Sequence, residues 1–200
     1  MIQQLYKVIE DYQPMGEQEI QDQKVMLDYI RLFDNILTRE NAFAHMTSSP
    51  WIVNEDFTKV LLIYHRIYDS WGWCGGHCDG EEDLLEVAVK EGREETGLTS
   101  IRPLSKELMA LDILPVPPHK KRGKFVSSHV HLNATFFCMA DEKEPLHHKE
   151  DENKGAMWVP LEEVYEKVNE CDKDMITVYK KLNEKLSAFA KDQRARENER

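Results

Sequence analysis

Gly75-Gly76-His77-Cys78-Asp79-Gly80-Glu81-Glu82 runs through Asp83 to Val89 into Lys90-Glu91-Gly92-Arg93-Glu94-Glu95-Thr96-Gly97-Leu98, a glycine-rich loop feeding an acidic segment. Two adjacent glycines leave the backbone bare, so that another group can approach it closely. Glu82 to Thr96 has the composition of a helix, and Gly97 suits the left-handed position just past a helix end. At 100° per residue, Glu91 and Glu95 lie about 40° apart and Glu94 about 60° to the other side of Glu91. Three carboxylates thus crowd one helix face. Like charges four residues apart cost an isolated helix about 0.2–0.5 kcal/mol per pair. A hard cation would relieve that repulsion, and Mg2+ (or Mn2+) is the natural choice because it takes carboxylates, waters and substrate phosphates together. The competing reading is a solvated acidic face, partly neutralised by Lys90 and Arg93.

The rest of the chain supports a globular host for such a helix. Its 200 residues carry 26 Lys+Arg against 37 Asp+Glu, a net charge of -11, and are 41% hydrophobic. That is long enough and apolar enough to bury a core. The acidity argues against binding a nucleic acid polymer, whose phosphates it would repel. It leaves open a small phosphorylated substrate held through a divalent cation. Met1 to Glu10 lacks the apolar stretch of a secretory leader, and the apolar runs Val60 to Tyr64 and Ala134 to Ala140 are too short to cross a membrane. With four Cys and no disulfide pattern, the expected setting is a reducing cytoplasm, without membrane association.

Outward from the loop, residues 1–45 read as a helical N-terminal extension, broken at Pro14 and Gly16, that covers a sheet or forms a homodimer interface. Residues 46–192 read as the main domain and 193–200 as a charged, frayed tail. Trp51 to Val53 and Lys59 to His65 read as a hairpin, and Leu108 to Leu114 and His129 to Met139 as further strands. Pro115 to Lys124 reads as a basic loop and Asp141 to Lys154 as a polar one, with helices over Leu161 to Val168 and Asp172 to Ala190. Interleaved strands and helices point to an α/β layered fold with helices on both faces of a sheet.

The loop and helix resemble the Nudix hydrolase signature: Gly, five residues, Glu, seven residues, Arg-Glu, an apolar residue, one residue, Glu-Glu, one residue, Gly and an apolar residue. Gly76, Glu82, Glu91, Glu94, Glu95, Gly97 and Leu98 fall on it in register, seven of nine specified positions. Lys90 stands in place of Arg, keeping the charge but losing the bidentate fork. Gly92 stands in place of an apolar residue, at about 1 kcal/mol of helix stability relative to Ala. Trp158-Val159-Pro160-Leu161-Glu162 is similar to the close of many family members. Ser70 to His77 together with the box resembles a poorly characterised bacterial subgroup with helical leaders.

The resemblance implies a Nudix-like α/β/α sandwich with a mixed sheet, and metal-dependent hydrolysis of a nucleoside diphosphate linked to another group, by water attack at phosphorus. It implies Glu91 and Glu95 as principal metal ligands, Glu94 as a further ligand or base, and the carbonyl of Gly75 facing the metal. Gly76, Glu82, Lys90 and Gly97 would support the box, with Glu82 acting through Lys90. A base outside the box is expected among Glu150, Asp151 and Glu152. For substrate contact the candidates are Trp71 and Trp73, as stacking surfaces, and His129 and His131, which share a strand face with Asn133. Lys120, Lys121, Arg122 and Lys124 form a basic patch that either meets phosphates or is simply solvated.

Three rival readings remain. Cys74, His77 and Cys78 have zinc-type chemistry but lack an evident fourth ligand. Isopentenyl diphosphate isomerase shares the Nudix fold and uses a catalytic Cys, yet the box here is nearly intact. A non-catalytic Nudix sensor usually lacks a box glutamate, and none is missing here.

Overall fold

The computed structural model describes residues 2–121, 123–149 and 153–198. Its elements are α1 (Gln3–Asp11), α2 (Gly16–Leu32), β1 (Ala44–Val53), β2 (Lys59–His65), β3 (Ser70–Gly72), β4 (Gly76–His77), α3 (Leu84–Thr96), β5 (Arg102–Pro103), β6 (Ala110–Val116), β7 (His119–Lys121), β8 (Lys124–Val126), β9 (His129–Met139), β10 (Asn153–Pro160), α4 (Val164–Lys167) and α5 (Met175–Asn198). They form two compact units, and β1, α3 and β9 contribute residues to each.

The first unit comprises residues 1–50, 75–91 and 106–136. Its strands lie in the order β4, β1, β9, β6. β4 and β6 pair antiparallel with their neighbours, Thr47 opposite His77 and Leu111 opposite Ala134. Val130 N donates to Phe43 O. In the second unit Ala140 N donates to Val53 O, ten residues further along both segments, so β1 and β9 run parallel and the sheet is mixed.

Strand alternation divides the side chains of the first unit between two faces. Ala44, Met46, Leu132, Ala134 and Leu111 point to one, where they join Leu5, Ile9, Met26 and Ile30 of the N-terminal helices and Leu84, Val87 and Ala88 of α3 in one core. The extension is therefore built into this core. Glu19, fully buried, accepts hydrogen bonds from Tyr12 Oη and Met15 N, both at 2.6 Å, and so fastens the turn between α1 and α2. The opposite face carries His45, Thr47 and Ser49 beside His129, His131 and Asn133. Asn133 Oδ1 accepts from Thr47 Oγ1 and Ser49 Oγ, both at 2.9 Å.

The second unit comprises residues 51–74, 92–105 and 137–200. Here the order is β10, β2, β1, β9, β5, with β3 also on β2. The expected hairpin is present, Val53 facing Val60. Trp51 stacks on Tyr179 of α5 at 5.2 Å between ring centroids, and Trp73 meets Tyr179 edge-on at 5.7 Å.

Several boundaries differ from the sequence reading. β1 begins at Ala44, so Ser48-Ser49-Pro50 is mid-strand; the serine hydroxyls are tolerated because Ser48 Oγ reaches Leu84 O at 2.6 Å and Ser49 Oγ reaches Asn133. The basic loop contains the hairpin β7–β8, turned at Gly123 with φ +78°. α4 is a single turn, whereas α5 continues to Asn198, so the tail expected to fray is helical that far. All four cysteines are free thiols. Among the described residues, no helix is long and apolar enough to cross a membrane.

Truncating a fully buried leader side chain tests its place in the core. Ile9→Ala or Ile30→Ala is expected to cost about 2–5 kcal/mol in denaturant unfolding, where a detached appendage would leave the transition unchanged.

Candidate functional site

Both loop glycines are set by close contacts. A Cβ on Gly75 would lie 2.2 Å from Ser49 Oγ, and one on Gly76 would lie 2.3 Å from Cδ of Glu91. The Glu91 carboxylate thus lies directly against the β4 backbone. The loop then turns through Asp79 and Gly80, both at positive φ. Arg39 grips the Asp79 carboxylate through Nε at 2.8 Å and through Nη2. Asp83 caps α3, its Oδ1 accepting from Leu85 N and Glu86 N at 3.1 Å. That cap starts the helix two residues after the expected Glu82, which is exposed, as is Lys90.

In the second unit, Glu95 is only 3% exposed, with Asn153 Nδ2 3.4 Å from its Oε1. Glu94 is half-exposed, with Lys149 Nζ at 3.9 Å. So loose a pair contributes at most about 1 kcal/mol. Gly97 has φ +72°, and its N–H donates to Arg93 O at 2.9 Å, ending the helix as expected. Arg93 Nη2 donates to Ile101 O at 3.1 Å, holding the segment after the helix instead of reaching toward the box carboxylates.

Trp73 is built into the aromatic core beside Trp51 and Tyr179, which leaves Trp71, edge-on to Tyr64 at 5.3 Å, the more exposed of the pair. His129 and His131 do share a face with Asn133, and they gather around His45 and His77: His45 lies 4.9 Å from His77, 5.1 Å from His129 and 5.3 Å from His131, centroid to centroid. His45, His77 and His131 can hold a metal ion, each offering a ligand atom within 4.8 Å of the others. Burial, then the charges of Arg39 and the neighbouring rings and Lys121, pushes His77 down to about 3. Burial and the other histidines push His131 down to about 2. Both are neutral at pH 7.

The zinc reading of Cys74, His77 and Cys78 is thus replaced, among the described residues, by a histidine grouping. Burial holds Cys78 as a thiol, its pKa raised to about 12, with the nearby Asp79 and Glu91 charges adding to the shift. His45 was missed because residues 1–45 read as helical. Extending strand alternation back through β1 would have aligned it with Thr47 and Ser49. Glu150, Asp151, Glu152 and Arg122 lie outside the described residues.

The NUDIX domain matches residues 45–179, and the chain belongs to the Nudix family of hydrolases acting on phosphoanhydride bonds. No curated protein matches the sequence. Among solved structures, the chain resembles a C. elegans Ap4A hydrolase in a binary complex, with TM-score 0.52, 17% identity, and 72% of this chain and 96% of that one covered. It also resembles the M. smegmatis Nudix hydrolase RenU, with TM-score 0.50, 15% identity, and 73% and 88% covered. At such identities the likeness is one of fold.

Gly76→Ala separates activity from stability. The new Cβ must displace the Glu91 carboxylate, so hydrolysis is expected to fall about 100-fold, as for an ångström-scale misplacement of a catalytic group, with little change in Tm.

Proposed function

We propose that the chain hydrolyses a pyrophosphate linkage in a nucleoside diphosphate joined to another group, using Mg2+ or Mn2+ held on α3. The observation that carries this reading is the bare backbone at Gly76, a cradle that a Cβ would fill and that the Glu91 carboxylate occupies. The donor set fits a hard cation, since Glu91, Glu94 and Glu95 offer carboxylate oxygens and Gly75 a carbonyl. When bound, such an ion would neutralise phosphate oxygens and acidify the attacking water.

Each residue has a distinct role. Glu91 and Glu95 are the principal ligands. The burial of Glu95 and its contact with Asn153 restrict its orientation. Glu94, the more exposed, either completes the ligand set or accepts the proton of the water, with Lys149 Nζ 3.9 Å from its carboxylate. Lys90 and Glu82 orient the box from its exposed edge. Trp71 is the preferred surface for a base, and Trp73 sets its position. The small-molecule substrate, and not a nucleic acid polymer, agrees with the net charge of -11. The resemblance to a bacterial subgroup with helical leaders brings no substrate with it.

Sugar nucleotides, dinucleotide cofactors, dinucleoside polyphosphates and nucleoside triphosphates, assayed with Mg2+ or Mn2+, test the reading. One class is expected to release phosphate-containing products. Glu94→Gln and Glu95→Gln are each expected to lower that rate by about 100-fold or more, the scale of a lost acid–base or electrostatic group. Full activity in either variant would overturn the assignment.

A further inference from the structure

The histidine face of the first unit is not used by the carboxylate chemistry above. Gly76 and His77 are adjacent on β4, so their side-chain directions are opposite. Gly76 is turned toward Glu91 of α3. His77, opposite Thr47, is turned to the face that carries His45 and His131. The imidazole group and the Glu91 carboxylate are therefore on different sides of this strand.

Hydrogen bonding presets the imidazoles as ligands. His45 is 4% exposed, and its Nδ1 is 2.9 Å from Asn41 O. A carbonyl only accepts, so Nδ1 carries the proton and Nε2 presents a lone pair. That Nε2 is buried and has no hydrogen-bond partner, and the same is true of His131 Nε2. A second-site hydrogen bond from the distal ring nitrogen to a backbone carbonyl is the usual support of a metal-bound histidine. His129 is fixed in the same way, its Nδ1 2.9 Å from Ser127 O, and stacks on His45.

We propose that His45, His77 and His131 form a second metal site, selective for a zinc-class divalent cation over Mg2+, with a fourth position open to water or to an oxygen of a phosphorylated ligand. Imidazole nitrogens suit Zn2+, Co2+, Ni2+ and Cu2+, whereas Mg2+ prefers oxygen. Three ligand atoms within 4.8 Å of one another allow an ion no more than roughly 2.8 Å from each. The Zn–N distance of about 2.0–2.1 Å then requires each ring to close by well under about 1 Å. The site stands independently of the carboxylate reading.

The test uses the full chain, stripped with chelator and titrated with Co2+ as a spectroscopic stand-in for Zn2+. The expected result is one Co2+ per chain with the strong visible absorption of a four- or five-coordinate site, displaced by one equivalent of Zn2+ but not by millimolar Mg2+. His45→Ala, His77→Ala and His131→Ala should each weaken binding at least tenfold. His119→Ala and the double variant Glu91→Gln/Glu95→Gln should retain the spectrum. Circular dichroism establishes that each variant is folded, and the conservative His131→Gln replaces any that is not. Absence of the band in the wild type, its persistence in folded histidine variants, or its loss in the glutamate double variant would overturn the proposal. If hydrolysis fails while the band and its histidine dependence remain, the carboxylate reading falls and this one stands.

Discussion

The contact between the Glu91 carboxylate and the bare backbone of Gly76 governs how the loop and the acidic helix are arranged. No residue with a side chain can occupy position 76 without moving that carboxylate, because even a single Cβ would fall inside its van der Waals envelope. The neighbouring approach of Gly75 to Ser49 draws the same loop onto β1. Arg39 bound to Asp79, and Asp83 capping α3, then hold the loop and the helix start on either side of that contact. The helix does not optimise its own stability. Gly92 costs it about 1 kcal/mol, and each like-charge pair about 0.2–0.5 kcal/mol. Against a typical domain stability of about 5–15 kcal/mol, these are tolerable costs for an arrangement of charge that a cation can use.

Much of this was legible in the sequence because glycine and glutamate at fixed spacing report backbone geometry directly. Gly97 ends α3 at positive φ, as its position after the helix implied, and β9 spans His129 to Met139 as the alternation of its residues indicated. The start of β1 was hidden. His45, Thr47, Ser48 and Ser49 look like a polar connector, and only tertiary partners such as Leu84 O and Asn133 make them a buried strand. The leader was recognisable as helical from its apolar stripe, but that stripe could not say what it packs against. Leu5, Ile9, Met26 and Ile30 meet Leu111 and Leu132 of strands about 100 residues later in the chain.

The same missed boundary concealed the histidine group. Four histidines come from three separate strands, and no spacing rule links positions 45, 77, 129 and 131 until the sheet order is known. The sheet of the first unit thereby separates two kinds of surface. One is apolar and shared with the leader and the start of α3; the other is polar, with the clustered imidazoles and the Thr47–Asn133–Ser49 hydrogen bonds. Burial keeps His77 and His131 neutral and makes the unpartnered Nε2 atoms of His45 and His131 costly.

The proposed function requires the acidic face of α3 to be a metal site and not a solvated surface. Mn2+ titration followed by electron paramagnetic resonance, comparing the wild type with Glu91→Gln/Glu95→Gln, tests it most directly. The expected result is a bound Mn2+ signal in the wild type, unaffected by His131→Ala, that disappears from the glutamate double variant while its fold is retained. Equal Mn2+ binding by the wild type and a folded double variant would contradict it.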